Sequence, residues 1–285
     1  MVIGSRPSTV SKDVEFLQIA TGNVTRPPKP SDLPEQKDLV IANIVDDQVI
    51  ACGGYNLASC YIYNFEDNAW VRTVQMDQPR LGAVNFVHRG KAMYILGGNS
   101  DNYMDSSIVY EEGAFRAGGS LPYPTALACV AEVNDTHVFY SGGESSHKEA
   151  YLLEVDTWTW TRLEDMAYGR SSHSCGKVGD NIVVVGGLRD ASEFSEIFSL
   201  ESLTWSTGPG VPAASGYFAG APQVLQLEDT FYIIGGLDDY VATDAVYEFD
   251  PDSWTWKLSD ERLTSARSYA GIVPIPNRLL TGGKR

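Results

Sequence analysis

Short apolar runs recur along this chain at a nearly constant interval, and each of them ends in a pair of glycines. The six pairs begin at Gly53, Gly97, Gly142, Gly186, Gly235 and Gly282. Successive pairs are separated by 44, 45, 44, 49 and 47 residues. Self-similarity at such a period is the signature of a protein built from repeated units. The pattern therefore predicts six structural repeats.

The apolar runs themselves predict β-strands. Segments such as DNIVVVGG and DTFYIIGG are rich in β-branched or aromatic residues, begin with polar turn residues and end in glycine. Uninterrupted apolar runs of this length are typical of strands that are buried on both faces. No ten-residue window of the sequence has the period of an amphipathic helix. We therefore expect an all-β protein.

Two further markers repeat with the same period. Large aromatic side chains follow the glycine pairs at Trp70, Phe115, Trp160, Trp205 and the pair Trp254 and Trp256. We expect them to fill the space between neighbouring repeats, where each would bury on the order of 150–250 Å². Basic residues then follow in three units, at Arg80, Arg170 and Arg267, and the matching positions of the other units hold Lys37, Thr125 and Ser215.

Together, the glycine pairs, the aromatic series and the arginine series resemble the kelch repeat. The resemblance covers residues 13–285 and implies a single six-bladed β-propeller, with four antiparallel strands per blade, named a to d from the centre outwards. It is specific for the fold and says little about function. Residues 1–12 match no part of the repeat, and we expect them to form a disordered tail.

The two ends of the chain are expected to share the last blade. After the sixth glycine pair the chain has room only for the inner strands a and b, at about residues 269–275 and 278–281. The segment 14–27 aligns with strands c and d of the third repeat and places Val24 in the aromatic position. Pairing of these segments would leave no open sheet edge at the closure. We therefore predict that strands c and d come from the N-terminus and strands a and b from the C-terminus.

Composition and charge narrow the function classes. The formal net charge is −16 and the isoelectric point is about 4.6, which disfavours binding to nucleic acid or to an anionic membrane surface. No apolar stretch approaches the length of a membrane span. The loops after the glycine pairs carry nine carboxylates against Lys148 and Arg189: Asp101, Asp105, Glu144, Glu149, Asp190, Glu193, Asp238, Asp239 and Asp244. A basic partner is therefore favoured at that end of the ring.

The four cysteines fall into two pairs with different expectations. Cys52 and Cys60 flank one loop of the first blade on strands that should be neighbours, and the sequence leaves open whether they form a disulfide. Their arrangement resembles the CGG…C units of secreted kelch-type proteins, which slightly favours secretion over a cytoplasmic location. Cys129 and Cys175 are expected to be buried small side chains on inner strands that lie too far apart to pair.

The sequence offers little for catalysis. Its four histidines are far apart and lack metal-ligand spacing, and there is no phosphate-binding loop and no G-x-S-x-G motif. We therefore expect no metal, no cofactor and no catalytic residue, and predict a non-catalytic protein. The alternative is an enzyme that acts on a sugar or small metabolite at the channel mouth, similar to a kelch-type sugar epimerase, whose scattered site would be invisible in one sequence.

The resemblance instead implies a protein-interaction module. In the family, partners dock where the b–c and d–a loops converge, and we expect a monomeric ring that binds a protein or peptide there, with a basic segment favoured. The positions that match this pattern or supply aromatic and acidic side chains nearby are Arg80, Tyr103, Arg170, Ser171, Ser172, Tyr217, Asp238, Asp239, Tyr240, Arg267, Ser268 and Tyr269. The three arginines could instead hold the loops together.

Overall fold

The fold is a six-bladed β-propeller, as the repeats predict. The structure is a computed structural model that describes residues 1–4, 11–18, 28–144, 148–188, 194–212, 218–219, 223–227 and 230–280. Each blade is an antiparallel sheet whose strands follow one another outwards from a central channel. The strands named b are apolar and almost fully buried, as in Asn181–Val185, because inner strands are covered by the neighbouring blades.

The first three blades each have four strands in the order a to d. Blade 1 consists of Ile41–Val45, Gln48–Cys52, Ser59–Asn64 and Ala69–Gln75. Blade 2 consists of Val84–His88, Ala92–Leu96, Met104–Glu111 and Ala114–Thr125. Blade 3 consists of Cys129–Glu132, His137–Ser141, Ala150–Glu154 and Thr159–Arg162.

Blades 4 and 5 follow the same plan, and blade 5 has an addition. Blade 4 consists of Ser174–Val178, Asn181–Val185, Phe194–Ser199 and Trp205–Gly210. Blade 5 consists of Gln223–Leu227, Thr230–Ile234, Val241–Asp250 and Thr255–Arg267. Two short strands, Phe218–Ala219 and Leu237–Asp238, pair with each other and extend blade 5 past its b strand.

Blade 6 closes the ring in a way that the sequence did not predict. Its strand a is Gly271–Ile272, its strand b is Val2–Ile3, and its strand c is Val14–Glu15. The assignment of strand b to residues 278–281 is therefore wrong, because Asn277–Leu280 forms one helical turn. The expected strand d, with Val24, lies outside the described residues.

The closure also contradicts the expected tail at residues 1–4. Val2 and Ile3 are buried, the Met1 amino group donates to the Val273 carbonyl at 2.7 Å, and the Val273 amide donates back to the Met1 carbonyl. The physical reason is that VIG carries the same two apolar residues and positive-φ glycine as the other b strands, with φ +74° at Gly4. Of the rest of the expected tail, residues 5–10 lie outside the described residues.

The aromatic series tie each blade to the one before it. The Trp70 and Trp205 indoles donate to the Ser31 and Glu164 carbonyls of the connections that precede their blades, at 3.0 and 2.7 Å. The Trp160 indole donates to the Ser120 carbonyl on strand d of blade 2, at 2.9 Å. In blade 5 the inward residue is Trp256, which is 6% exposed, whereas Trp254 is 36% exposed. The only helix in the described part of the chain is the single turn near its end, too short to cross a membrane.

Candidate binding face and central channel

The antiparallel blades sort the connections onto two ends of the ring. We call the end with the b–c and d–a connections the loop face, and the end with the a–b and c–d turns the turn face. Strand a of every blade begins at the loop face and ends at the turn face, beside the channel. The predicted partner-binding residues all belong to the loop face by this topology, so their exposure decides which of them can touch a partner.

The three arginines of the repeat are clamps inside the blades. Arg80, Arg170 and Arg267 are only 1%, 1% and 2% exposed. Their guanidinium groups donate to the carbonyls of Gly97 at 3.0 Å, Gly186 at 2.6 Å and Gly4 at 2.6 Å, respectively. These carbonyls belong to the glycines that end the b strands. The prediction that the arginines contact a partner is therefore wrong, because their donors are used within the ring.

Buried carboxylates balance two of these cations. Arg170 pairs with Glu196 at 3.0 Å and Arg267 with Glu15 at 2.8 Å, all four being almost fully buried. Burial lowers the pKa of Arg170, and Glu196 opposes that shift. Removal of one member would leave an unpaired buried charge, which typically costs about 3–5 kcal/mol. The clamps therefore stabilise the fold.

The glycine pair permits this clamp because its backbone approaches the arginine closely. Gly97 and Gly98 have φ of +65° and +102°, which disfavour side-chain-bearing residues. A Cβ on Gly98 would lie 2.9 Å from the carbonyl carbon of Arg80. The glycine pair and the arginine that recur in the sequence are therefore the two partners of one contact.

The predicted serines are also buried. Ser171 and Ser172 are 0% exposed and Ser268 is 6% exposed, so none of them presents a surface to a partner. Ser172 instead joins blades at the inner rim of the loop face: its amide donates to the Leu127 carbonyl, and the Leu127 amide donates to the Gly82 carbonyl, both at 2.8 Å. The prediction of serine contacts is wrong, because these residues are buried inside the ring.

Tyr269 occupies the position that matches Ser172, two residues after the clamp arginine, and is half-buried. It adopts a left-handed conformation with φ +55°, as Leu39, Leu127 and Ser172 do at the matching positions of other blades. Burial raises the pKa of its hydroxyl, and the charges of Asp38 and Glu144 raise it further. Tyr269 thus stays neutral. Tyr217, predicted for the next position of this series, lies outside the described residues.

The large hydrophobic side chains exposed on the loop face are mainly tyrosines. Tyr103 and Tyr240 are 43% and 70% exposed, and two tyrosines that the sequence analysis missed, Tyr55 and Tyr168, are 64% and 38% exposed. Tyr55 directly follows a glycine pair and Tyr168 comes two residues before a clamp arginine, so their places in the repeat could have identified them. Four blades thus present aromatic side chains at one end of the ring.

Carboxylates surround these tyrosines. Among the described residues of the loop face, Asp101, Asp105, Asp239 and Asp244 are exposed, and Glu144, Glu149 and Asp238 are half-buried. Lys148 donates to the Ala167 carbonyl at 2.8 Å, and Arg262 lies 3.9 Å from Asp244. Asp190, Glu193 and Arg189 lie outside the described residues. Negative charge predominates on the described part of this face.

The central channel has a volume of about 600 Å³ and is apolar in the middle and polar towards the turn face. There, Asn43 donates to Asn85 at 3.0 Å, and the Lys177 amide donates to the Gln226 side chain at 2.9 Å. Glu132 accepts from the Val87 amide at 3.4 Å. Burial raises the pKa of Glu132, and the Asp135 carboxylate adds to that effect. These side chains mainly link neighbouring inner strands.

Two disulfides are present. Cys52 and Cys60 are bonded across neighbouring strands of blade 1, with 4.1 Å between their Cα atoms. Cys129 and Cys175 are also bonded, although the sequence analysis expected them to lie too far apart. Strand a of blade 3 and strand a of blade 4 converge at the channel, which brings these Cα atoms to 5.9 Å, within the range of a disulfide.

His173 fills a gap between blades 3 and 4. It is 3% exposed, and its Nε2 lies 3.0 Å from the Ser141 hydroxyl. Burial lowers the pKa of His173 to about 3, and the nearby Arg170 charge contributes. The matching positions of other blades hold small apolar residues, such as Ala83, Ala128 and Ala270. His173 is thus a neutral part of the core. The described residues bring together no group of three metal-ligating side chains.

Comparisons with known proteins agree with this architecture. A family model described as the KLHDC2/KLHL20/DRC7 Kelch-repeats domain matches residues 114–283. Kelch-like protein 35 of Mus musculus is 30% identical over 46% of this chain and 22% of its own length. An F-box/kelch-repeat protein of Arabidopsis thaliana is 25% identical over 56% of this chain and 43% of its own length.

This chain therefore corresponds to less than half the length of each of these two relatives. Among solved structures, that of YjhT is similar, with a TM-score of 0.69 and 15% identity over 82% of this chain and 87% of the other. At that identity the likeness concerns the fold alone. These matches do not show what this chain binds.

Proposed function

The chain belongs to the kelch-repeat family, and on that premise we propose that it binds a segment of another protein on its loop face. Kelch-repeat rings are typically interaction modules rather than enzymes. The observation that carries the assignment of the face is the set of exposed tyrosines, Tyr55, Tyr103, Tyr168 and Tyr240, on connections of four blades at one end of the ring. Tyrosine is enriched among the residues that dominate binding energy at protein interfaces.

The charge of the loop face supports a basic partner. Seven described carboxylates lie there, and the cations Lys148 and Arg262 are close to acceptors of the ring itself. Opposite charge on a partner would steer the encounter and raise the association rate, whereas the aromatic contacts would set the dissociation rate. We therefore propose a segment with net positive charge.

The test uses a partner recovered with the intact ring and then purified. In stopped-flow binding, Tyr103→Ala with Tyr55→Ala should increase the dissociation rate, while Asp101→Asn with Asp105→Asn should slow association and flatten its dependence on salt. Leu203→Ala, which removes a 54% exposed side chain from the turn face, is the matched control and should change neither rate. Unchanged kinetics in both loop-face variants would refute the proposed face.

A second candidate function is an activity on a small molecule in the channel. The observation that favours it is the position of the Glu132 carboxylate, which lines a channel of about 600 Å³ and is exposed there to a molecule that enters; its surroundings also raise its pKa. This group lies at the end of the channel nearer the turn face. If an activity on a small molecule is found and Glu132→Gln leaves it unchanged, Glu132 is not the group that transfers the proton. If Glu132→Gln instead abolishes binding of the protein partner, that result would count against binding on the loop face.

We also propose that the protein works in an oxidising compartment. All four cysteines are paired and buried, and structural disulfides persist mainly in secreted proteins and similar environments. Mass spectrometry of protein from its native source, alkylated before reduction, should find no free thiol. Alkylation of all four cysteines without reductant would contradict the proposal.

A further inference from the structure

The b–c connection of blade 5 forms a short hairpin with a two-residue turn. Leu237–Asp238 pairs with the start of Val241–Asp250, with Leu237 opposite Ala242 and Asp238 opposite Val241. Phe218–Ala219 pairs with the opposite, inner edge of Leu237–Asp238. The hairpin thus extends blade 5 on the loop face. We call Asp238, Asp239, Tyr240 and Val241 the hairpin tip.

The turn of this hairpin holds two residues in an unfavourable backbone conformation. Asp239 and Tyr240 have φ of +50° and +63°, which is the type I′ geometry of a two-residue hairpin turn. Asn-Gly is the sequence that this turn prefers, because a bulky side chain in the left-handed region costs about 1–2 kcal/mol per residue. A tyrosine here is thus a poor choice for stability.

The same hairpin carries the two most exposed large hydrophobic side chains of the loop face. Tyr240 is 70% exposed and Val241 is 67% exposed, which are the highest values among the large hydrophobic side chains of the described residues. Asp239 is exposed beside them, and Asp238 is half-buried. An aromatic ring, an aliphatic side chain and two carboxylates therefore share one protruding tip.

We propose that the hairpin tip is an anchor for an arginine side chain of the partner protein. This inference rests on the proposed function, since it names one contact of the loop face. An arginine side chain can stack its guanidinium group on the Tyr240 ring, lay its methylene groups against Val241 and donate hydrogen bonds from the guanidinium to the Asp239 carboxylate. Arginine fits better than lysine, because its planar group both stacks and donates to a carboxylate in a bidentate way.

The opposite end of the ring offers a matched control. Asp46 and Asp47 form the a–b turn of blade 1 on the turn face, also as a two-residue hairpin turn, with φ of +47° and +62°. This turn is acidic and strained in the same way but has no aromatic residue. Replacement of either turn by Asn-Gly therefore relieves the same strain, and only the tip variant removes the tyrosine.

The experiment compares amidated hexa-arginine and hexa-lysine peptides of equal charge by isothermal titration calorimetry at low ionic strength. The proteins are the wild type, Asp239→Asn with Tyr240→Gly, and Asp46→Asn with Asp47→Gly. The wild type should bind hexa-arginine about two- to fivefold more tightly than hexa-lysine, the range of an exposed cation–π contact. The tip variant should lose this preference, and the control should keep it, although the control removes more negative charge.

Thermal melts separate a loss of the anchor from a loss of fold. The tip variant should melt at or above the wild-type temperature, and the control, which also loses the exposed ion pair between Asp47 and Arg278, should melt close to it. An equal loss of preference in the control, a preference retained by the tip variant, or no arginine preference in the wild type would each overturn the anchor. The proposed function has its own readout in the purified partner. If the tip variant binds that partner normally while Tyr55→Ala with Tyr103→Ala does not, the anchor fails and the loop face stands.

Discussion

The two tryptophans of the fifth blade give the sharpest test of how the repeats hold together. Trp256 is 6% exposed, and its ring centroid lies 5.3 Å from that of Phe231 and 5.0 Å from that of Phe249. Trp254 is 36% exposed and contacts only Phe249 among the aromatic rings, at 5.5 Å. Trp256→Ala should therefore destabilise the ring far more than Trp254→Ala.

The structure also indicates the magnitude. Truncation of a buried Phe or Trp to Ala typically costs about 3–5 kcal/mol. Within the described residues the Trp256 indole N–H is buried without a hydrogen-bond partner, and its removal returns on the order of 1 kcal/mol of that loss. We expect about 3 kcal/mol for Trp256→Ala, below about 1 kcal/mol for Trp254→Ala, and about 1 kcal/mol for Trp256→Phe, which keeps a ring in the core.

Urea unfolding followed by circular dichroism measures these differences, and the slope with denaturant shows whether the variants unfold as the wild type does. Equal losses for both alanine variants would refute the assignment of Trp256 as the inward residue. A Trp256→Phe variant as unstable as Trp256→Ala would show that packing of a ring against Phe231 and Phe249 is not what stabilises this site.

Three further predictions concern the closure, the core and the disulfide across blades. Ile3→Ala should lower the free energy of unfolding by about 2–5 kcal/mol, and the control Leu279→Ala, which truncates a half-buried side chain, should lower it much less. The reverse order in urea unfolding would contradict closure by residues 2–3. His173 stabilises the fold in its neutral form. This contribution should be fully present above pH 6.5 and should be lost as the pH falls towards about 3, with a loss of about 3 kcal/mol by about pH 4.5. The difference in stability between the wild type and His173→Ala should therefore shrink with acid, and a constant difference would contradict the buried neutral form. Joint replacement of Cys129 and Cys175 by Ala should cost about 4 kcal/mol under oxidising conditions, from the 46-residue loop that the bond closes; wild-type stability that is insensitive to reductant would contradict a structural disulfide.

The sequence was sufficient to predict the repeat architecture but not how blade 6 closes the ring. The first five glycine pairs correctly identify the b strands of blades 1 to 5, because each pair is followed by the same loop and aromatic position. At the last blade, however, two segments carry a strand b pattern, VIG at residues 2–4 and LLTGG at residues 279–283. The pair of glycines favoured the second segment, whereas the hydrogen bonds of Met1 and Val273 and the clamp from Arg267 to Gly4 use the first.

The site was predictable as a face and not as a set of contacts. Repeat position places Arg80, Ser172 and Tyr240 alike on the loop face, but only coordinates reveal that the first two are buried and the third is exposed. Burial depends on how the connections fold over the clamp, which no single repeat specifies. The distance between Cys129 and Cys175 similarly depends on how closely inner strands converge.

The measurement that tests the central claim most directly is a hydrogen-exchange footprint of the purified partner on the intact ring. Backbone amides should become protected at residues 54–58, 99–103 and 237–242, which are loop-face connections of three blades, and protection should weaken at high salt. Residues 46–47, 89–91 and 134–136 on the turn face should exchange as in the free protein. Protection confined to those turn-face residues would contradict binding on the loop face.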